Sequence, residues 1–229
     1  MVAAILAAGG VGRRMGVRTH KPFVLLAGQP MLCWALAALQ SSRAVREIVV
    51  VAHRKDVPAV RRLVRKLRFR KVSRVVPGGA SRRASVFQGM KALPREAEWV
   101  LVHDAARPLV TPALIHRAIR GACDGAAITA VPVVPTIKEA RDGWVLRTLD
   151  RSRLWAVQTP QVFRRDLLER AHRRGRANGL EATDDAALVE NLGWRVRIVA
   201  GSHRNIKVTT PEDLVIAEAL LNRKTVRRT

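Results

Sequence analysis

Tyrosine is absent from this 229-residue chain, and only five Trp and four Phe supply its aromatic rings. That scarcity argues against a nucleic-acid surface built on stacking aromatics. Cysteine is nearly absent as well. Cys33 and Cys123 stand far apart in apolar, helix-like contexts with no CxxC or Cys/His cluster, which excludes a disulfide framework and a zinc site of recognisable spacing; both are expected to be reduced core residues. Acidic residues are few, 18 against 42 Lys and Arg, for a net charge of +24. No apolar run approaches the roughly 18 to 20 residues that span a bilayer, and the N-terminus lacks a signal peptide's charged head and cleavage site. A soluble, cytoplasmic protein with no membrane partner is expected.

The arginine excess is scattered along helix-like segments (Arg61, Arg62, Arg65, Arg68; Arg173, Arg174, Arg176) with no interleaved aromatics. It reads as solvated helix faces or as attraction for small anionic substrates, and no specific nucleic-acid partner is expected. With 48% apolar residues the chain can bury a sizeable core, and a single domain over residues 1–229 is expected.

Strand-like runs at 2–6, 47–52, 71–76, 99–105, 126–133 and 195–200 alternate with helix-like segments at 31–41, 57–67, 85–93 and 111–123. Such alternation predicts an α/β fold, a doubly wound and mostly parallel sheet covered on both faces. Thr111-Pro112, and Thr210-Pro211 followed by Glu212 and Asp213, each read as an N-cap, a proline in the first turn and a helix, the last over about 211–222. Residues 136–149 break the rhythm. Two half-polar runs flank Asp142-Gly143, a hairpin signal, and residues 134–155 are expected to form a β-arm docked on another subunit or, alternatively, an ordinary edge hairpin.

The first strand runs into LAAGGVGRRMG (6–16). GxGxxG fails, because the glycine after Gly10 and Gly12 comes at Gly16, one position late; GxxxxGK followed by Ser or Thr occurs nowhere in the chain. The loop carries Arg13, Arg14 and then Lys21 before Pro22, cations that with free backbone N–H groups suit a triphosphate. Asp104 ends another apolar run, where a lone carboxylate beside phosphates suits Mg²⁺ or simply caps a loop. His103 is expected to be a packing residue. No Ser/His/Asp or Cys/His arrangement is visible, in keeping with a phosphate nucleophile that needs alignment rather than a strong base.

Several motifs follow in order: AGGxGxRM and Lys21; Gly78-Gly79-x-x-Arg82-x-x-Ser85; His103-Asp104-Ala-Ala-Arg107-Pro108; Asp150-Arg151 through Trp155 to Gln158-Thr159-Pro160-Gln161; Thr183-Asp184-Asp185-Ala186; and Asn205-Ile-Lys207-Val-Thr209. Together they resemble the 2-C-methyl-D-erythritol 4-phosphate cytidylyltransferase family of the non-mevalonate isoprenoid pathway. The resemblance implies CTP and methylerythritol phosphate as substrates, Mg²⁺ as cofactor and a homodimer sharing its sites through the arm. It implies Arg14 and Lys21 as catalytic cations, Ala8, Gly9, Gly10, Gly12, Gly79 and Ser85 around CTP, and Asp104 on the metal. For methylerythritol phosphate it implies Thr136 and Arg151 from a neighbour's arm, with Arg107, Thr159, Thr183 and Lys207. Ala80 stands where relatives often carry an acid. The nearest rival enzyme, which shares the fold, the first loop and the arm, acts on ribitol 5-phosphate; Asp104 to Arg107 and Thr183 to Ala186 favour methylerythritol phosphate.

Overall fold

The structure, a computed structural model, describes residues 1–10, 20–180 and 182–225, with side chains through residue 222. In chain order its elements are β1 (Val2–Ala8), the two-residue strands β2 (Leu25–Leu26) and β3 (Gln29–Pro30), α1 (Met31–Ser41), β4 (Val45–Ala52), α2 (Val57–Lys66), β5 (Val72–Pro77), α3 (Arg82–Lys91), β6 (Trp99–Asp104), α4 (Pro112–Gly121) and β7 (Ala126–Pro132). There follow the hairpin β8 (Lys138–Arg141) and β9 (Trp144–Thr148), then β10 (Trp155–Arg164), α5 (Arg165–Ala177), α6 (Asp185–Glu190), β11 (Arg197–Ala200) and α7 (Pro211–Thr225).

Seven strands form the main sheet in the order β11-β7-β10-β6-β1-β4-β5. Every pairing is parallel except those of β10, which runs antiparallel between β6 and β7. Alternate residues of β1 enter opposite cores. Ala4, Leu6 and Ala8 pack with α1, α2 and α4 through Leu32, Leu36, Val60 and Ile115, while Ala3 and Ile5 pack with α3 and α5 through Val86, Met90 and Leu167. A central parallel strand must be apolar on both faces because helices cover both, as the expected doubly wound α/β architecture requires. Gly89 lets α3 lie close to the sheet: a Cβ there would stand 2.7 Å from Ile5 Cγ2.

The predicted helix starts hold. Leu114 N–H donates to Thr111 Oγ1 at 3.2 Å. Asp213 N–H donates to Thr210 Oγ1 at 3.3 Å and the Asp213 carboxylate accepts from Thr210 N–H at 2.9 Å, a reciprocal cap. The last helix continues to Thr225, beyond the expected end near 222, and α3 starts at Arg82 rather than 85 because Ser81 caps it, its Oγ accepting from Ala84 N–H at 3.1 Å.

Other expectations are corrected. The long strand β10 was not anticipated, since Pro160 in its middle argues against a central strand; the pairing with β7 skips register between Gln158 and Gln161, so the missing N–H falls in an irregularity of the ladder. Cys33 is buried, which pushes its thiol up to about 11, but Cys123 is exposed and is no core residue. The Asp142-Gly143 turn forms with both residues at positive φ (52° and 85°), as a two-residue hairpin loop demands. β8 and β9 make their own two-stranded sheet, apart from the main one, and every residue of both strands is exposed.

Candidate active site

The parallel strands β1, β4, β5 and β6 end on the same side of the sheet, where open α/β folds bind ligands. A cavity of 480 Å³ opens there, a size typical of small-molecule sites. It brings together Ala8, Gly9, Gly10 and Lys21 from the first strand and its sequel, Gly79 and Ser85 from the turn into α3, and Asp104 and Lys207. Gly12, Arg13 and Arg14 lie outside the described residues. A Cβ on Gly10 would sit 3.7 Å from Lys21 Cδ, so the lysine stem passes over the glycine. Another hollow, of 630 Å³, lies between Asp124 and residues 193–197, where the carboxylate is already paired with Arg197 at 2.5 Å.

The turn at Gly78-Gly79 is held by Ser85, whose Oγ accepts from Gly79 N–H (3.1 Å) and donates to Ser81 O (2.9 Å). A Cβ on Gly79 would come within 2.5 Å of Ala84 Cβ. Gly79→Ala is therefore expected to displace the turn and to cost about 1–3 kcal/mol, the usual range for overpacking; a thermal melt of the variant checks this.

Asp104 sits between two cations. Lys207 Nζ lies 2.7 Å from Oδ2 and Arg82 Nε 3.5 Å from Oδ1. Burial pushes the carboxyl's pKa up, but Arg82 and Lys207 outweigh it and hold it at about 2. Arg82 in turn places Nη1 2.7 Å from Asp185 Oδ2, and Asp185 Oδ1 meets His172 Nε2 at 3.0 Å. Arg82 and Asp185 both fall inside sequence motifs that by themselves assign neither a role. The signal for a role was present, a charged residue of each sign inside otherwise small-residue motifs, but nothing local showed that they pair across 103 positions.

Beneath Asp104 runs an ordered chain of hydrogen bonds. His103 Nε2 faces the Arg107 carbonyl at 3.1 Å, so that nitrogen carries the proton and Nδ1 accepts from Thr159 Oγ1 at 2.9 Å. Thr159 Oγ1 itself accepts from Asp104 N–H at 3.1 Å. His103, expected only to pack, thus fixes the backbone of Asp104. Burial, against the opposing pull of Asp104, lowers its pKa to about 4. An unfolded chain takes up this proton near pH 6.5 and the folded protein only near 4, so the contribution is intact above pH 6.5 and is lost as pH falls towards 4, by about 3 kcal/mol. Denaturant unfolding across pH 7.5 to 4 tests this; stability unchanged down to pH 5 would contradict it.

Arg107 and Thr159 are likewise engaged within the protein. Arg107 donates to Asn205 O (2.8 Å) and Val157 O (3.1 Å), and Thr159 is buried. Thr136, Arg151 and Thr183 are exposed and do not line the cavity. Arg151 donates to Val134 O at 2.7 Å, which ties the two ends of the arm together.

A basic, glycine-lined cavity at the strand ends of a doubly wound sheet is the frame of an enzyme that transfers nucleotidyl groups, and comparison with known proteins agrees on that class. The sequence model of the 2-C-methyl-D-erythritol 4-phosphate cytidylyltransferase family matches residues 2–223, and the chain belongs to that family. A curated relative of that name from Pelotomaculum thermopropionicum is 50% identical over 223 residues, covering 96% of this chain and 94% of its own length. One from Microcystis aeruginosa is 44% identical, covering 96% and 98%. The chain is also similar to the crystal structure of 4-diphosphocytidyl-2C-methyl-D-erythritol synthase from Anaerococcus prevotii (TM-score 0.87, 30% identity, 97% of this chain and 96% of that one). The corresponding cytidylyltransferase structure from Thermus thermophilus gives a TM-score of 0.81 at 34% identity, covering 97% and 100%.

Proposed function

We propose that this protein transfers CMP from CTP to 2-C-methyl-D-erythritol 4-phosphate, giving the CDP-linked product and pyrophosphate for isoprenoid precursor synthesis. The observation that carries the reading is the cavity lined by Lys21, Arg82 and Lys207 with Asp104 as its one lining carboxylate, in a chain that matches this family over residues 2–223. Three cations against one anion favour a polyphosphate.

In the proposed reaction an oxygen of the substrate phosphate attacks the α-phosphorus of CTP, and the bond to the bridging oxygen of the β-phosphate breaks in line with it. The attacking group is already an anion, so the protein supplies alignment and charge. Lys21 and Arg14 take the charge that grows on the α-phosphate. Ala8, Gly9, Gly10 and Gly12 offer backbone groups without side-chain bulk, and Gly79, held by Ser85, forms the wall for cytosine. Ala80 does not disturb this role, which rests on backbone groups. Asp104, ionised at any working pH, has the donor chemistry for Mg²⁺, an ion that takes one or two carboxylates with substrate phosphate oxygens. When bound, Mg²⁺ would neutralise charge on those oxygens. Lys207 lies where it can hold the substrate phosphate, while Arg107 and Thr159 serve from beneath by positioning Asp104 and the 205–207 segment.

Thr136 and Arg151 fit the reading if the arm reaches a second copy; Thr183 precedes α6, off the arm, and would contribute from the body of its own chain. Support comes from the arm's exposed apolar side chains, among them Trp144 (79% exposed) and Val134 (66%), in a chain where such a patch marks a docking surface. Sedimentation is expected to report a dimer. Because CTP is an intracellular nucleotide, the reaction is placed in the cytoplasm; among the described residues no helix is long and apolar enough to cross a membrane.

The test is Mg²⁺-dependent pyrophosphate release from CTP, with methylerythritol phosphate and ribitol 5-phosphate offered separately. Release with the first acceptor is expected. No release with either would overturn the reading.

A further inference from the structure

His20, His53 and Asp56 converge at one edge of the cavity, although no spacing in the sequence announces them. One donor atom from each lies within 4.8 Å of the other two, and among the described residues no other His, Cys, Asp and Glu side chains gather this way. His20 Nδ1 and Asp56 Oδ2 are 2.6 Å apart, and the two imidazoles stand edge to face at 81° with centroids 5.1 Å apart. The backbone beneath them is set by tight turns. Phe23 N–H donates to His20 O at 2.9 Å, and Asp56 N–H to His53 O at 2.8 Å. None of the three lines the nucleotide cavity, yet His53 N lies only 3.9 Å from where a Gly9 Cβ would be.

We propose that His20, His53 and Asp56 form a transition-metal site of the zinc class beside the nucleotide cavity, separate from Asp104. Two imidazoles and one carboxylate are the donor set of Zn²⁺ and its neighbours, whereas Mg²⁺ and Ca²⁺ prefer oxygen alone. Three protein ligands leave the fourth position open to water or an anion. Tetrahedral bonds of about 2.0–2.2 Å require donors about 3.4 Å apart, so the His20–Asp56 hydrogen bond opens slightly and the half-buried His53 ring swings in. The ion then replaces that hydrogen bond and ties residue 20, the neighbour of Lys21, to the end of β4.

Titration of the chelator-treated full chain with Co²⁺, whose tetrahedral complexes absorb visibly, tests the proposal. One equivalent should bind with a tetrahedral spectrum, Zn²⁺ should displace it, and a large excess of Mg²⁺ should not. His53→Gln and Asp56→Asn should each weaken uptake at least about tenfold, the lower end of the cost of losing even an outer-sphere partner. Zn²⁺ should raise the melting temperature of the wild type and not of His53→Gln. Should Asp56→Asn fail to fold, the partly exposed His53→Gln carries the comparison alone. Absence of uptake by the wild type, competition by Mg²⁺, or uptake indifferent to His53→Gln would overturn the site.

Discussion

Lys21→Ala will lower turnover by roughly 100-fold or more, and Arg14→Ala will do the same, because a positioned charge that meets the transition state is worth about 3 to 4 kcal/mol. Lys21 lines the cavity with its stem across Gly10, so truncation removes a cation without emptying a core. The loss should therefore fall mainly on kcat, with the melting temperature close to wild type. Steady-state kinetics of both variants with CTP and methylerythritol phosphate is the measurement. A loss below about threefold in both would remove them from the chemistry.

Asp185→Ala will destabilise the fold by about 3 to 5 kcal/mol, the cost of breaking a buried ion pair from one side. Asp185 is fully buried. Burial alone would raise its pKa, but the His172 hydrogen bond and the Arg82 charge hold it below the usual carboxylate value. Removing it leaves Arg82 with one carboxylate instead of two and strips His172 Nε2 of its partner. Arg82, no longer drawn from behind, would lean towards Asp104 and weaken the grip of Lys207 on the same group. Chemical unfolding gives the stability, and an Asp185→Asn variant separates charge from shape: it should recover the packing but not the ion pair. Equal stability of wild type and alanine variant would show that the pair contributes nothing.

The layered architecture was readable because buried parallel strands such as Ile48–Ala52 and Val100–Val102 leave an uninterrupted apolar signature. β10 was not, since its central Pro160 and polar Gln158, Thr159 and Gln161 look like a loop until the partners on both sides are known. α5 was only partly legible, its buried face being Leu167, Leu168, Ala171, His172 and Gly175, with little hydrophobic contrast to the arginines around it. Gly9, Gly10 and Lys21 were legible from the first loop and its cations, whereas Gly79 and Lys207 were legible only through the motifs that carry the family resemblance, and Arg82 was not singled out. The His103–Thr159 link was not legible, because a hydrogen bond across 56 positions has no periodic trace. The same holds for the His20–Asp56 pair.

The directed chain from Asp104 N–H through Thr159 to His103 and on to the Arg107 carbonyl has a consequence for how this sequence can drift. Thr159→Val keeps the volume yet orphans a buried donor and a buried acceptor together, about 1–3 kcal/mol for each. Serine keeps both bonds. At position 103, lysine or arginine has no acceptor to offer Thr159. Positions 103 and 159 should therefore be inherited as a single unit, with a narrow shared alphabet, even though neither need ever touch the nucleotide.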